Sequence, residues 1–359
     1  MSSDLKSFLS SISGRRDELN HCVFDTSSSL NNLESEENFI APLTHYGFLA
    51  INGPDTSKFL QGQTTCDLEE VDDSHGKLGA CCSPKGRMIT SFFVARTDRE
   101  HYLLRMRYDL VETSDSALSK YIVFSKAKQK NACNDYLAIG LSGEKCAANV
   151  ELVFGRLPDQ KYATVVKEGN IVIRLDDDGT RFECWLKTDQ LHHLWTSLAM
   201  SLSVESSKIW EKQTIRLGLG EVDRKTTEVF VPQMLNYQMT EAISFTKGCY
   251  TGQEVVARMH YKGTLKKQMY RIYVDHDLLS SGDDLYSKEN KQSIGKIVNI
   301  TSIVNNGSEA LAVITKKHAM TNDVFVNVRN SIATKTENGS DSTEIKQVQI
   351  LALPYTIQS

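Results

Sequence analysis

The alternation of apolar and polar residues predicts where ordered structure begins in this 359-residue chain. Residues 44–51 alternate as a β-strand, and the turn after them leads into a helix because Pro54 is suited to the first helical position. Phe59 and Leu60 lie on one side of that helix, so we expect both to be buried. Residues 1–37, by contrast, are polar and rich in serine, which predicts an extension with little core of its own.

Two apolar segments, 78–82 and 88–94, are predicted strands joined by a turn at residues 83–86, where proline and glycine occupy turn-favoured positions. Residues 120–126 interleave lysines with apolar side chains and also have the pattern of a strand. Two interpretations stay open for that segment: a solvated edge strand that its lysines protect from pairing, or the wall of an anion-binding cavity.

The second half of the chain changes from mixed to all-β patterning. Three short strands within 164–187 form a predicted meander, and apolar spacing predicts helices at 188–202 and 207–217. Strand patterns separated by regular turn residues then indicate a small β-barrel. These patterns cover residues 268–274, 293–300, 310–316, 324–328 and 345–351.

Composition and charge exclude several classes of function. A net charge of −4 and a pI of about 6.2 provide no global attraction to nucleic acid or to an anionic membrane. No apolar run approaches the roughly 18 residues of a membrane-spanning helix, and the N-terminus lacks the pattern of a secretory signal. We therefore expect a cytoplasmic protein. A dinucleotide-binding G-x-G-x-x-G, a P-loop, a G-x-S-x-G elbow and an H-E-x-x-H pair do not occur in the sequence.

The eight cysteines are irregularly spaced and include no C-x-x-C pair. In a chain without a secretory signal, this spacing favours reduced thiols and argues against a zinc site or a disulfide framework. We predict no metal site. Cys249 differs from the other cysteines in its sequence surroundings.

Cys249 lies in the stretch Lys-Gly-Cys-Tyr-Thr-Gly-Gln-Glu at residues 247–254. The two glycines of this stretch allow the backbone to come close to a neighbour or a ligand. From Lys247 to Arg271 there are six lysines and arginines and a single acid, Glu254, and this positive field favours the thiolate over the thiol. A thiolate is a nucleophile and a metal ligand, so Cys249 is the candidate reactive residue; the alternative is an inert buried thiol.

The same eight residues resemble the signature Lys-Gly-Cys-Tyr-x-Gly-Gln-Glu of the YgfZ-type folate-binding proteins, relatives of the glycine-cleavage T-protein that support iron–sulfur enzymes. Three further blocks are similar to the family in order and spacing, at residues 52–67, 84–88 and 120–126. The resemblance extends from about residue 40 to the C-terminus, whereas residues 1–37 are longer than the family pattern.

The resemblance implies an α+β fold of the T-protein-like (aminomethyltransferase) type, in which two α+β lobes and a C-terminal β-barrel surround a central folate cavity. Residues 1–37 would be the polar N-terminal extension and 38–125 the first lobe. Residues 126–264 would be the second lobe, which carries the signature turn, and 265–359 the barrel.

The resemblance also implies a site for tetrahydrofolate or a folate derivative. Tyr46 and Trp210 match the family's folate-contacting aromatics, and we expect their rings to stack on the ligand. Cys249 would be the reactive residue, at the rim of that cavity. The residues expected to support the motif and the cavity are Lys247, Gly248, Tyr250, Gly252, Gln253, Glu254 and Arg258.

Four of these supporting residues have expected roles. Lys247 and Arg258 would raise the fraction of thiolate because both are cationic. Gln253 and Glu254 would position the turn by hydrogen bonding.

One departure from the T-protein affects the expected chemistry. The strand that carries an Asp-Asp pair in the aminomethyltransferases has Thr90 and Ser91 in this chain. A hydroxyl group cannot hold a negative charge at neutral pH and accept a proton. The resemblance therefore implies that aminomethyl transfer has lost its general base.

The sequence favours a tetrahydrofolate-binding accessory protein that assists assembly or repair of iron–sulfur clusters in client enzymes, including tRNA-modifying enzymes, through Cys249. The thiolate could take up a persulfide, ligate cluster iron or act as a reductant. The alternatives are a folate-dependent aminomethyl or one-carbon transferase acting on a protein or tRNA, and a folate-sensing module with a structural Cys249. We expect iron–sulfur client enzymes as partners, no sequence-specific nucleic acid, no membrane, and a monomer.

Overall fold

The computed structural model describes residues 2–24, 38–289, 292–303, 307–329 and 343–357. The strands in these ranges are β1 Gly14–Arg16, β2 Cys22–Phe24, β3 Phe39–Pro42, β4 Tyr46–Asn52, β5 Lys77–Cys82, β6 Met88–Asp98, β7 His101–Arg107, β8 Lys128–Asn131, β9 Tyr136–Ser142, β10 Thr164–Lys167, β11 Asn170–Arg174, β12 Arg181–Lys187, β13 Ser203–Val204, β14 Lys267–Val274, β15 Asp284–Tyr286, β16 Gly295–Ile303, β17 Gly307–Thr315, β18 Phe325–Arg329, β19 Thr343–Gln347 and β20 Gln349–Leu351. The helices are α1 Ser3–Ser11, α2 Thr56–Gln61, α3 Val111–Ile122, α4 Cys146–Phe154, α5 Leu191–Leu198, α6 Ser207–Arg216, α7 Gln253–Lys262 and α8 Lys316–Met320.

Three large sheets organise these strands. An antiparallel five-stranded sheet has the order β5-β6-β7-β4-β8, and a six-stranded sheet has the order β10-β11-β12-β9-β3-β13 with only the β13–β3 pair parallel. The C-terminal part forms a seven-stranded antiparallel sheet, β19-β18-β15-β16-β17-β14-β20, which is nearly closed into a barrel. The expected α+β fold with a C-terminal barrel is therefore confirmed.

The first two sheets share a core in the middle of the molecule. Phe48 and Phe93 from the five-stranded sheet pack with Trp185 from the six-stranded sheet, and all three are at most 1% exposed. Trp210 of helix α6 belongs to the same cluster. Strand β3 lies in the six-stranded sheet and β8 in the five-stranded one, so the two lobes are interleaved there and a linear boundary at residue 125 divides them incompletely.

The N-terminal segment contributes to the core of the second lobe. Leu5, Phe8 and Leu9 of helix α1 and Cys22 of β2 are buried in a cluster with residues of the six-stranded sheet and helices α4 and α5. The expectation of a purely polar extension is corrected for this part, because the apolar spacing of α1 provides one buried face. Residues 25–37 of the expected extension lie outside the described residues.

Most predicted elements are present, and one is wrong. Phe59 and Leu60 of α2 are buried, as the helical pattern predicts. The strand predicted at 120–126 is instead the end of helix α3 and a turn. Leu118 anchors α3 in the core, so the helix continues past the lysine-rich start, and the apolar Val123 and Phe124 are left 71% and 88% exposed.

Candidate functional site

An interior cavity lies where the five-stranded sheet, the six-stranded sheet and helix α6 meet. The cavity is small: the centre of a water molecule can occupy about 40 Å³ of it, and its mouth opens to solvent. Its walls combine aromatic and aliphatic side chains with a few charged ones. The lining residues are Tyr46, Leu78, Ser91, Phe92, Phe93, Arg105, Tyr162, Leu175, Arg181, Glu183, Trp210, Thr214, Gly218, Leu219, Gly220, Glu221, Leu235, Tyr237 and Thr240.

Tyr46 and Trp210, the two expected ligand-contacting aromatics, both lie in the wall of this cavity. Each ring is covered by a guanidinium group: Arg105 lies 3.9 Å from the centroid of Tyr46, and Arg181 lies 3.9 Å from that of Trp210. The rings are only 4% and 1% exposed. A guanidinium therefore covers one face of each ring. A ligand at these two positions would contact the arginines as well as the aromatic rings.

Arg105 is fully paired by acidic neighbours. Its Nε donates to Glu183 Oε1 at 2.9 Å, and its Nη1 donates to Glu221 Oε1 at 2.7 Å. The Tyr46 hydroxyl donates to Glu221 as well, at 3.0 Å, and Trp185 Nε1 donates to Glu183 at 2.6 Å. These bonds compensate the burial of three charges and hold the Tyr46 ring in place.

Arg181 is not paired in this way. Its Nη2 donates to the Thr214 hydroxyl at 2.8 Å, whereas its buried Nε and Nη1 have no hydrogen-bond partner among the described residues. The side chain is 5% exposed, and burial lowers its pKa to about 10, so the guanidinium is still charged at neutral pH. A buried charge with unused donors is costly unless an acceptor is supplied from elsewhere.

The two hydroxyl residues that replace the Asp pair face different sides of strand β6. Ser91 lines the cavity, where its Oγ accepts a hydrogen bond from the backbone of Val222 at 2.9 Å. Thr90 is fully buried on the other face, and its hydroxyl contacts the Ser91 carbonyl at 3.2 Å and the Met106 sulfur at 3.8 Å. The Ser91 hydroxyl thus serves a backbone contact, and neither residue offers a general base.

The signature loop, residues 247–254, is attached to the first lobe through Lys247. The Lys247 ammonium donates to the carbonyls of Gln61, Thr64 and Cys66 at 2.8, 2.8 and 2.7 Å. The side chain is 8% exposed, and burial lowers its pKa to about 8. The described contacts assign Lys247 to holding the loop on the segment after α2, and its effect on the thiolate stays a prediction.

Glycines bring the signature loop against the turn at residues 83–86. Gly252 has φ = +85°, and a Cβ there would lie 2.4 Å from the Ser83 carbonyl oxygen. Gly86 has φ = +69°, and its Cβ would lie 2.7 Å from Cβ of Val255. Gly248 has nothing within 4 Å. Positive φ and close backbone approach require glycine at the first two positions and not at the third.

The block at residues 52–67 completes this junction. The Thr251 hydroxyl donates to Gln63 Oε1 at 3.0 Å, its backbone N–H donates to Gly62 O at 3.2 Å, and the Ser244 N–H donates to Thr65 O at 2.9 Å. The blocks at residues 52–67 and 84–88 therefore both contact the signature loop, in which Cys249 lies between Lys247 and Thr251.

Cys249 is exposed, whereas the other seven cysteines are buried. Burial raises the pKa of Cys66, Cys82 and Cys184, for example, which keeps those thiols protonated and unreactive. Cys249 is absent from the lining of the interior cavity, and its expected position at the cavity rim stays a prediction. The loop reaches the first lobe through backbone contacts and leaves its thiol at the surface.

The remaining signature residues divide into buried and exposed ones. Tyr250 is 7% exposed, and Lys247 Nζ lies 5.3 Å from its ring centroid. Gln253 begins helix α7, and its backbone N–H donates to the Tyr250 carbonyl at 3.1 Å. Within the described residues the side chains of Gln253, Glu254 and the exposed Arg258 form no hydrogen bond to the turn, which is held by the Lys247 and Thr251 side chains and by backbone contacts.

Sequence reasoning missed Arg181 and Glu183, although a signal was present. Strand β12 places Phe182, Cys184 and Leu186 in one core, so its alternate positions face the cavity. Charged residues at two of those alternate positions indicate a polar site. Arg105 carries a similar signal, because Tyr102, Leu104 and Met106 of strand β7 lie in another core. Glu221 lies outside the strands and helices and carries no such signal.

Among the described residues, no group of three histidine, cysteine or acidic side chains is arranged to hold a metal ion. The helices in this part of the chain are all too short or too polar to cross a membrane.

Comparisons with known proteins were made at the level of family models, solved structures and sequences. No protein-family model matches the chain. The glycine cleavage system aminomethyltransferase T of Bartonella henselae is similar in structure, with a TM-score of 0.76 over 98% of this chain and 96% of that one at 13% identity. This similarity confirms the T-protein-like fold.

Curated sequences are more specific. The tRNA-modifying protein YgfZ of Klebsiella pneumoniae (strain 342) is 32% identical over 230 residues, which cover 64% of this chain and 70% of that protein. The protein of the same name from Pectobacterium atrosepticum is 30% identical over 318 residues, which cover 88% of this chain and 91% of that protein. With this extent of similarity, and with the signature loop and its neighbouring blocks assembled in space, the chain belongs to the YgfZ family.

Proposed function

We propose that this protein binds tetrahydrofolate or a related folate in the interior cavity and assists assembly or repair of iron–sulfur clusters in client enzymes through Cys249. The clients would include enzymes that modify tRNA, in keeping with the name of its relatives. The observation that carries the proposal is that the signature loop, held on two distant sequence blocks, exposes the Cys249 thiol while the other seven cysteines are buried.

The chemical groups that line the cavity match those of a folate. A reduced pterin is a flat ring with hydrogen-bond donors and acceptors at its edge, and the cavity offers flat guanidinium groups, the carboxylates of Glu183 and Glu221, and apolar walls. The unused donors of Arg181 are orphaned polar groups that a ligand acceptor would satisfy. Ser91 stands in place of an acid, which disfavours aminomethyl transfer. The folate would therefore be bound without taking part in that reaction.

The thiol side of the proposal keeps three chemical roles open: persulfide carrier, iron ligand or reductant. A single cysteine cannot hold a cluster alone, so a client would supply the remaining ligands. Exposure of Cys249 on a loop held by backbone contacts suits this role, because the sulfur can reach a partner while its support stays fixed.

Complementation tests the thiol. Cells that lack the protein would receive the wild type, Cys249→Ala or the control Cys133→Ala, which removes a buried thiol. We expect activity of a cluster-dependent tRNA-modifying enzyme to return with the wild type and the control and not with Cys249→Ala. Equal rescue by Cys249→Ala would favour a folate-sensing module with a structural cysteine.

Calorimetric titration of the purified full chain with tetrahydrofolate under reducing conditions tests the cavity. We expect saturable one-site binding accompanied by a change in tryptophan fluorescence, since Trp185 and Trp210 both lie in the core around the cavity. A flat titration at millimolar ligand would remove the folate part of the proposal.

A further inference from the structure

Arg181 is unusual among the buried arginines described around the cavity. Arg105 contacts Glu183 and Glu221, and Arg107 contacts Glu211 at 2.7 Å. Arg181 has no carboxylate within ion-pair distance among the described residues, and it leaves Nε and Nη1 without acceptors. Stability of the fold does not require an arginine at this position, because a hydrophobic side chain of the same length would avoid the free-energy penalty of an unpaired buried charge.

The surroundings of Arg181 fix its orientation. The Trp210 ring lies under its guanidinium at 3.9 Å, and the Thr214 hydroxyl accepts from Nη2 at 2.8 Å. Thr214 is itself held, since its hydroxyl donates to the Trp210 carbonyl at 2.9 Å. Trp210 is backed by Gly140, where a Cβ would lie 2.4 Å from the ring atom Cε3. A rigid support of this kind presents the remaining N–H groups, at Nε and Nη1, in defined directions.

We infer that Arg181 is a ligand-binding and specificity-determining residue, which donates a hydrogen bond from one of its unused N–H groups, at Nε or Nη1, to an acceptor oxygen of the ligand in the interior cavity. The inference rests on the proposed folate function and names the chemistry that the site selects. A ligand that presents an oxygen acceptor at this position is bound, and one that presents an amino group there is rejected, because a donor facing a buried guanidinium leaves both groups unpaired.

A folate has two groups with the required chemistry. One is the 4-oxo oxygen of the pterin, and the other is the carboxylate of the glutamate tail. Folic acid, its 4-amino analogue aminopterin, and pteroic acid, which lacks the glutamate, separate the two. Aminopterin changes the first group and keeps the second, whereas pteroic acid does the reverse.

The experiment measures the affinity of these three compounds by calorimetry for the wild-type full chain, Arg181→Met and Arg181→Lys. We expect Arg181→Met to bind folic acid about tenfold to a hundredfold more weakly, the range for loss of hydrogen bonds to a charged group. Wild type should discriminate against aminopterin if the pterin oxygen is the acceptor, or against pteroic acid if it is the carboxylate. Arg181→Met should lose that discrimination, and Arg181→Lys should restore it only in part, because an ammonium on a flexible stem lacks the fixed donor geometry of a guanidinium.

A thermal melt of the ligand-free variants guards against misfolding. Arg181→Met removes an unpaired buried charge, so we expect its melting temperature to equal or exceed that of the wild type. Arg271→Met is the matched control: Arg271 pairs with Glu309 at 2.7 Å in the C-terminal sheet, away from the cavity lining, and its loss should leave folic acid affinity unchanged.

The outcomes are distinct. If folic acid binds the wild type and Arg181→Met equally well, the role of Arg181 is overturned while the folate function stands. If none of the three compounds nor tetrahydrofolate binds the wild type, the folate function fails and the inference fails with it.

Discussion

Polar side chains act differently in the interior cavity and in the signature loop. In the cavity, charged groups from distant segments face one another, as Arg105 does with Glu183 and Glu221, and Arg181 keeps unused donors. In the signature loop, Lys247 and the glycines contact main-chain atoms of other segments. Substitution of side chains in the cavity would therefore alter which ligand it binds. The shape of the loop depends instead on a backbone conformation that few residue types permit.

The largest expected effect is a double dissociation between the two regions. Cys249→Ala should reduce client-enzyme activity to that of cells lacking the protein, while its folic acid Kd stays within about twofold of wild type, because Cys249 does not line the cavity. Arg181→Met should weaken folic acid binding and leave the rate of Cys249 alkylation by iodoacetamide unchanged. Loss of both properties in either variant would show that the regions are coupled.

Lys247→Met should be the most destabilising change in the loop. Three carbonyl oxygens lose a charged donor in a mostly buried position, so we expect the free energy of unfolding to fall by about 3 kcal/mol in urea titrations. Lys85→Met, at an exposed position of the neighbouring turn, is the control and should change stability by less than about 0.5 kcal/mol. Equal stabilities would mean that the loop does not depend on this lysine.

The glycines of the signature permit a matched pair of substitutions. Gly252→Ala places a Cβ 2.4 Å from the Ser83 oxygen at φ = +85°, and we expect it to lower the free energy of unfolding by about 1–3 kcal/mol. Gly248→Ala meets nothing within 4 Å and should remain within about 0.5 kcal/mol of wild type. A reversed order of the two variants would contradict the assigned junction between the loop and the turn.

Acid should act on the surroundings of the cavity through His45. Its ring lies 4.1 Å from that of Tyr46, both ring nitrogens lack partners among the described residues, and burial holds its pKa well below the usual range. The unfolded chain binds a proton at His45 below about pH 6.5 and the folded chain does not, so folding free energy is lost as pH falls.

The expected slope from this residue is at most about 1.4 kcal/mol per pH unit below pH 6.5. Unfolding of wild type and His45→Phe would be measured by urea titration between pH 7 and 5, and the difference between the two slopes isolates His45. The neighbouring His21 has a pKa raised despite its burial, by Glu211 and Asp17, and its contribution acts in the opposite direction in both proteins. Parallel curves would contradict a neutral buried His45.

The sequence predicted the close approach at the loop's glycines but not the charged pairs of the cavity, for a physical reason. Turn and cap positions such as Gly86 and Gly252 depend on local backbone conformation, which short motifs encode directly. The pairing of Arg105 with Glu221 joins residues 116 positions apart, and only the packed fold brings them together. The strand predicted at residues 120–126 was wrong because a two-residue alternation over so short a span also fits the end of a helix. Burial of Leu118 favours the helix.

The expected reactivity at Cys249 is also only partly settled by pattern. A run of basic residues around it predicted an activated thiol, but the Lys247 ammonium donates its hydrogen bonds to three carbonyl oxygens. What the sequence could not give was accessibility, which depends on how the loop sits on the first lobe.

The contrast between one accessible thiol and seven buried ones makes the unmodified chain a ready single-site probe. A maleimide fluorophore or spin label would attach at Cys249 without removal of any other cysteine. A disulfide-forming trap at the same atom would capture whichever client docks there, and mass spectrometry of the trapped pair would identify it.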